Sequence, residues 1–238
     1  MTPYDKLIAR KRTWTPVQTE AGTLKSGAEE AIYRALALRC LELPVGDFIS
    51  HSLKREVPDS ARQILEMNIK DEENHDLALS YAVNALGTDE KAEREAQILK
   101  KAWEEHEDHT IVKAMVAERS VFFCLLPFFR YAGDAGLRTI SADISRDEQI
   151  HVATNSLVCR ELGLNPSKSL NKLRKATVDW VFQPLKAENP DKFLAKNFWH
   201  SQSDSLFEKG IAEGFSNTRS ARMPAFFEHS NVNLPQYA

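Results

Sequence analysis

Residues 118–151 read ERSVFFCLLPFFRYAGDAGLRTISADISRDEQIH. The segment opens with Glu118 and closes with the pair Glu148 and His151, whose i, i+3 spacing places both side chains on one face of a helix. That face is otherwise largely apolar, as on the core-facing side of a helix. The sequence therefore predicts that charged side chains point into the core of a helical protein.

The first half of the chain repeats this arrangement. Glu72 and His75 form a second pair with the same spacing, again within an apolar helical stripe. Glu42 lies thirty residues before Glu72, and Glu118 lies thirty residues before Glu148. The two halves therefore look like copies of one half-site.

Four carboxylates that face a core need a positive partner, because an unpaired ionised carboxylate costs several kcal/mol to bury. Two divalent cations satisfy this need, and two glutamates with two Glu-x-x-His pairs are the ligand set of di-iron carboxylate bundles. We therefore predict a centre of two iron or manganese ions; the same ligands bind Fe/Fe, Mn/Fe and Mn/Mn pairs. Taken singly, each residue could instead be a solvated glutamate or a hydrogen-bonded core histidine. The six predicted ligands are Glu42, Glu72, His75, Glu118, Glu148 and His151.

Apolar periodicity predicts an all-α protein, a ferritin-like four-helix bundle with additional C-terminal helices. Ser26 and Glu29 spell a capping box at the start of the first bundle helix, and Pro44 predicts a kink within it. The four bundle helices are expected at residues 26–55, 58–87, 88–127 and 133–163. The shorter C-terminal helices are expected at residues 169–186, 190–198 and 203–215.

The length of 238 residues fits one domain, 1–238, with an N-terminal arm at 1–25 and an extended C-terminal tail at 216–238. A formal net charge of -3 does not favour nucleic-acid binding. No apolar run has the length of a signal peptide core or a membrane span. The three widely spaced cysteines are typical of reduced core residues. We expect a cytoplasmic protein that binds neither nucleic acid nor membrane.

With the ligands placed, residues 118–151 resemble the ribonucleotide reductase small subunit, a member of the ferritin-like di-metal carboxylate superfamily. The shared features are a ligand glutamate, paired aromatic residues, a glycine-marked turn and the segment ISRDEQIH. The resemblance covers about residues 4–162. It implies a protein that reacts with dioxygen and supplies an oxidant or radical to a large catalytic subunit.

The resemblance also implies roles for three further residues. Asp147 matches an aspartate that hydrogen-bonds a metal-ligating histidine and an N-terminal tryptophan, for which Trp14 is the candidate. Tyr237 matches a tyrosine of the C-terminal tail, which docks on the large subunit and relays the radical.

The chain departs from the family pattern in two ligand-region positions and in its shorter length. Glu42 stands where the family usually has aspartate, and Leu79 stands where a radical-bearing tyrosine is expected; Tyr81 is two positions off that face. Both departures are similar to the manganese/iron branch, in which the metal pair stores the oxidant.

Two other functions are compatible with the same ligands. One is a stand-alone oxygenase, hydroxylase or aldehyde-deformylating enzyme, for which a ligand-sized apolar channel at the metals would be diagnostic. The other is iron handling of the ferritin or rubrerythrin kind. The apolar residues at 122–129 further predict a homodimer.

Overall fold

The computed structural model of this chain describes residues 1–55 and 57–212. Within these ranges the regular secondary structure is helical, apart from one isolated bridge between Lys186 and Ala195. The prediction of an all-α, ferritin-like four-helix bundle with additional C-terminal helices is confirmed. The predicted tail at 216–238, with Tyr237, lies outside the described residues.

The α-helices are α1 (Pro3–Ile8), α2 (Glu29–Ala37), α3 (Glu42–Leu53), α4 (Asp59–Leu86), α5 (Glu90–Glu105), α6 (Thr110–Ala117), α7 (Phe123–Ala132), α8 (Ala135–Glu161), α9 (Lys168–Phe182) and α10 (Lys196–Ala212). Two 3-10 segments, Leu38–Leu41 and Lys192–Leu194, and a π-helical segment, Glu118–Phe122, complete the helical structure of the described residues.

The bundle consists of α3, α4, the continuous run α6 to α7, and α8. Helix α3 packs on α4 and α6, while α8 packs on α4, α6 and α7. Asp134 caps α8 by accepting a hydrogen bond from the backbone N–H of Leu137 at 2.7 Å. Helices α9 and α10 pack on each other, and α10 contacts the π-helical segment. The C-terminal helices therefore cover one side of the bundle.

The first bundle helix differs from the prediction at its start and in its middle. Ser26 does not cap it: Ala28 is the N-cap residue, and the carboxylate of Glu29 accepts a hydrogen bond from Gly27 N–H at 2.8 Å. Helix α2 gives way to the 3-10 segment Leu38–Leu41 before α3 begins. The physical reason is Pro44. Proline has no backbone N–H, and its ring clashes with the carbonyl four residues earlier, so the α-helical hydrogen bond to that carbonyl cannot form.

The third predicted helix is also interrupted. Asp89 caps α5, and the chain leaves the helix between α5 and α6, where His109 caps α6. Helix α5 packs against α2 and α9, outside the four-helix core. The bundle position expected for a single helix at 88–127 therefore belongs to α6 and α7 alone.

The predicted division of the C-terminal helices is wrong between residues 198 and 203. Helix α10 is continuous from Lys196 to Ala212, and residues 192–194 form only a 3-10 turn. Ser203 was expected to start a helix, yet it is fully buried in the middle of α10 and donates a hydrogen bond to the carbonyl of Ser120 at 2.6 Å. This burial explains why a polar stretch remains helical.

The apolar segment at 122–129 is buried within the single chain. Phe128, for example, is fully buried and contacts Phe182 and Trp199 edge to face at 5.2 and 5.5 Å between ring centroids. These residues do not form an exposed apolar face, so they give no support to the predicted homodimer. Among residues 1–55 and 57–212, no helix combines the length and apolar character needed to cross a membrane.

Candidate metal centre

The bundle brings all six predicted ligands together at its centre. Glu42 is the first residue of α3, and Glu118 is the first residue of the π-helical segment; the other four lie on the two longest helices, α4 and α8. Glu42 is 3% exposed, and the other five side chains are fully buried. No bulk water therefore screens these charges.

The six residues divide into two groups of potential metal ligands. Glu42, Glu72, His75 and Glu148 each offer one ligand atom within 4.8 Å of the others. Glu72, Glu118 and His151 form the second group under the same limit. Glu72 belongs to both groups, which is the position of a carboxylate that can bridge two metal ions.

Both histidines turn Nδ1 toward the carboxylates. His75 Nδ1 lies 3.4 Å from Glu72 Oε2, 3.4 Å from Glu148 Oε1 and 3.7 Å from Glu42 Oε2. His151 Nδ1 lies 2.9 Å from Glu72 Oε1 and 3.8 Å from oxygens of Glu118 and Glu148. The two rings are 5.5 Å apart between centroids. His75 Nδ1 therefore faces the oxygens of the first group, and His151 Nδ1 faces those of the second.

The inward-facing atoms of this cluster have no hydrogen-bond partner. At least one carboxylate oxygen of each glutamate, and Nδ1 of each histidine, is buried without one. Buried polar atoms are almost always hydrogen-bonded, so a cluster of orphaned oxygen and imidazole donors needs another partner. Oxygen and imidazole donors suit iron and manganese. The residues present therefore fit two such ions.

The pKa values describe how the cluster carries its charge without metal. Burial raises the pKa of Glu42 and Glu118 well above the usual range of a glutamate. Burial and the cation of Lys11 both oppose protonation of His151, but the carboxylates of Glu72 and Asp71 outweigh them and raise its pKa to about 10. Protons thus occupy the centre when cations do not.

Asp147 and Trp14 lie behind His75, as the resemblance implied. Trp14 Nε1 donates to Asp147 Oδ2 at 2.6 Å, and His75 Nε2 lies 3.4 Å from the same oxygen. The Trp14 and His75 rings are stacked at 6.3 Å between centroids. Asp147 therefore contacts Nε2 of His75 while Nδ1 faces the cluster, which fixes the tautomer of His75.

His151 has an equivalent partner that the sequence reasoning missed. His151 Nε2 lies 2.9 Å from Asp71 Oδ2, and Lys11 Nζ donates to the same oxygen. A signal was available, because residues 71–75 and 147–151 both read Asp-Glu-x-x-His. The pairing is crossed: the aspartate of each motif supports the histidine of the other.

Helix irregularities at two of the glutamates were also missed. Glu118 opens the π-helical segment, and Glu42 directly follows the 3-10 segment. A π turn inserts a residue into a helix and re-aims the side chains that follow, and such turns are frequent at functional sites. Asn155 donates to Glu118 Oε2 at 2.7 Å, leaving Oε1 directed at the cluster without a partner.

A small apolar cavity touches Glu42. Its volume is about 10 Å³, and Leu79, at 3% exposure, is among the side chains that line it. This volume accommodates about one water-sized molecule. A surface cavity of about 400 Å³ lies between the N-terminal arm and α8, lined by Lys11, Asp147 and the arginines at positions 10, 12 and 146.

Comparison with known proteins yields a structural match. A crystal structure from Bacillus halodurans, described as a "putative class I ribonucleotide reductase", aligns with 93% of this chain and 92% of its own, with a TM-score of 0.65. The two chains share one fold. Sequence identity is 18%, so the likeness establishes the fold alone. The shared fold agrees with the sequence resemblance, and the structural match covers more of the chain than residues 4–162. No protein-family model and no curated protein sequence matches this chain.

Proposed function

We propose that this chain is a di-metal, oxygen-activating oxidoreductase of the ribonucleotide reductase small-subunit kind. The observation that carries the proposal is the buried set of orphaned donor atoms on Glu42, Glu72, His75, Glu118, Glu148 and His151. Four buried carboxylates that each leave at least one oxygen without a hydrogen-bond partner are costly to maintain unless a cation replaces the missing partners. The shared fold supports the same assignment.

Two redox-active ions held by these ligands would supply the electrons for the reduction of dioxygen. The protein's own contribution is to fix the ligands and to exclude water. Asp147 and Asp71 orient the two imidazoles, and Asn155 orients Glu118. Leu79, Phe122 and Phe129 line the small cavity at Glu42, so apolar side chains adjoin this edge of the cluster.

An exit route for the oxidant is supported by the contacts of His75. His75, Asp147 and Trp14 form a continuous set of contacts from the cluster to the N-terminal arm. Trp14 is half-buried, so it lies between the buried centre and the surface. We propose that Trp14 passes electrons to the centre through Asp147 and His75.

The residue at position 79 bears on where the oxidant is stored. Leu79 has no oxidisable phenol, and Tyr81 is partly exposed on another face of α4. An Fe/Fe or Mn/Fe pair fits the donor set, and the absence of tyrosine at position 79 favours Mn/Fe, with the oxidant held on the metals. Metal identity follows from availability as well as from ligands.

The proposal includes a large catalytic subunit as the partner. The sequence has no glycine-rich phosphate-binding loop, so the nucleotide would bind elsewhere. The C-terminal tail with Tyr237 is proposed as the docking segment for that subunit. A homodimer belongs to the same proposal, and its mass in solution tests it.

A stand-alone oxygenase is the alternative, and the small cavity at Glu42 gives it no support. Such an enzyme needs space for an organic substrate beside the metals, and substrate sites of small molecules usually span several hundred Å³. The apolar cavity at Glu42 measures about 10 Å³. It has room for a water-sized molecule and not for an organic substrate.

The test is anaerobic loading with Fe(II) and Mn(II), followed by exposure to oxygen. Electron paramagnetic resonance and metal counting are carried out on the same sample. We expect about two ions per chain and a long-lived oxidised signal. Rapid decay to a silent or merely oxidised pair, with substrate-dependent oxygen uptake, would contradict the reductase-like assignment and favour an oxygenase.

A further inference from the structure

The two histidines of the candidate centre are each supported by an aspartate, at 3.4 Å for His75 and 2.9 Å for His151, and the two supports differ in charge. Asp147 Oδ2 faces His75 and accepts a hydrogen bond from the indole of Trp14. Asp71 Oδ2 faces His151 and accepts from the ammonium of Lys11. One aspartate is thus backed by a neutral donor, and the other is backed by a cation.

Lys11 is held in this position by burial. Its side chain is 5% exposed, that of Asp71 is 14% exposed, and Lys11 Nζ lies 3.4 Å from His151 Nε2. Lys11 and Trp14 are three residues apart in the non-helical arm that follows α1. One short segment of the arm therefore reaches the supports of both histidines.

A carboxylate that accepts a hydrogen bond from a ligand histidine makes that histidine a stronger donor to a metal. A cation on the same carboxylate offsets this effect, because it neutralises the charge that polarises the ring. Lys11 also repels a metal ion at Nδ1 directly. Both effects weaken metal binding at His151 and leave metal binding at His75 unchanged.

We propose that Asp71 and Lys11 are positioning residues that make the two metal positions unequal. Asp71 fixes His151 with Nδ1 toward the cluster, and Lys11 lowers the affinity of that position for a cation. The position at His75 is then the tighter one. This inference rests on the proposed function, since it presupposes that the six residues bind metal.

The test is an anaerobic titration with Co(II), followed by ligand-field absorbance and metal counting at neutral pH. Wild type should bind two ions in two unequal steps. Asp71→Asn should weaken one step by about 10- to 100-fold and leave the other within about twofold, as is typical for partners of metal-ligating histidines. Asp147→Asn should weaken the other step.

Lys11→Met separates a positioning role from a structural one. Loss of a merely structural lysine would weaken metal binding, whereas the proposal predicts that the step sensitive to Asp71 becomes several-fold tighter. Lys11→Arg retains the charge and should restore the wild-type value. Asp59→Asn, on the exposed first turn of α4, and Lys6→Met, exposed on α1, are matched controls and should change neither step.

The outcomes distinguish this inference from the function on which it rests. Two unchanged steps in Asp71→Asn, or weaker binding in Lys11→Met, would overturn the role of these residues and leave the metal centre intact. If wild type binds no Co(II), the proposed metal centre itself fails, and this inference fails with it.

Discussion

Replacing Glu118 by glutamine should stabilise the metal-free protein while weakening its metal binding. Glu118 is fully buried, and its Oε1 has no hydrogen-bond partner, whereas its Oε2 accepts from Asn155. Burial, together with the charges of Glu148 and Glu72, raises its pKa well above the usual range. Without metal, the fold must therefore either protonate this carboxyl or retain its charge. Glutamine removes both penalties and keeps an oxygen for Asn155.

The magnitude follows from the spacing of the charges. Glu118 and Glu72 offer ligand atoms within 4.8 Å of each other. Two like charges about 5 Å apart repel by about 3 kcal/mol at an effective dielectric constant of about 20. Proton uptake already relieves part of this repulsion, so we expect a gain of about 1–3 kcal/mol in the free energy of unfolding. For a chain of this size the gain raises the melting temperature by roughly 2–12 °C.

Thermal unfolding followed by circular dichroism in the presence of a chelator measures this effect. Glu105→Gln is the control, because the Glu105 side chain is 68% exposed and its removal should shift the melting temperature little. With metal added, wild type should have the higher melting temperature, since Glu118→Gln lacks one anionic ligand. A metal-free Glu118→Gln variant that melts at or below wild type would refute the reasoning that the bare carboxylates repel one another.

Three further predictions concern other parts of the centre. Trp14→Phe removes the 2.6 Å hydrogen bond to Asp147 but no inward-facing atom, so metal counts should stay at wild-type values while stopped-flow absorbance shows slower electron transfer to the centre. In metal-free protein, the pKa of His151 is raised from 6.5 to about 10; its contribution to stability is complete below pH 6.5 and is lost as pH rises toward 10. In urea unfolding, the free energy of unfolding should therefore fall as pH rises over that range, and a flat profile would contradict this. A Cβ at Gly46 would lie 3.4 Å from Glu72 Cβ, so Gly46→Val should cost about 1–3 kcal/mol and disturb metal binding, with Gly46→Ala close to wild type in thermal unfolding.

The fold class and the cluster of six residues could be predicted because both depend on helical periodicity. A glutamate within an apolar stripe must face the core if the helix forms, and four such stripes bring four glutamates to one axis. The predicted proximity of Glu42, Glu72 and Glu148 therefore needed no knowledge of long-range contacts. The bounds of α4 and α8 were also close, because glycines at 87 and 163 end both helices with positive φ.

Pro44 marks the interruption of the first bundle helix in the sequence, but no such residue marks the break after α5 or the π-helical segment. The break between α5 and α6, at residues 106–109, contains neither glycine nor proline to mark it, and the π-helical segment at Glu118 depends on how neighbouring helices pack. Asp71 was missed for a related reason. Its partners Lys11 and His151 lie 60 and 80 residues away in the chain, so only the assembled bundle joins them.

The central claim is that this bundle holds two metal ions between Glu42, Glu72, His75, Glu118, Glu148 and His151. Metal counting after anaerobic equilibration with Mn(II) and Fe(II) tests it most directly, with wild type and Glu72→Ala compared side by side. Glu72 belongs to both groups of ligands, so its loss should affect both positions. We expect about two ions per chain in wild type and fewer than one in Glu72→Ala, which should remain helical. Two tightly bound ions in the variant, or none in wild type, would contradict the account.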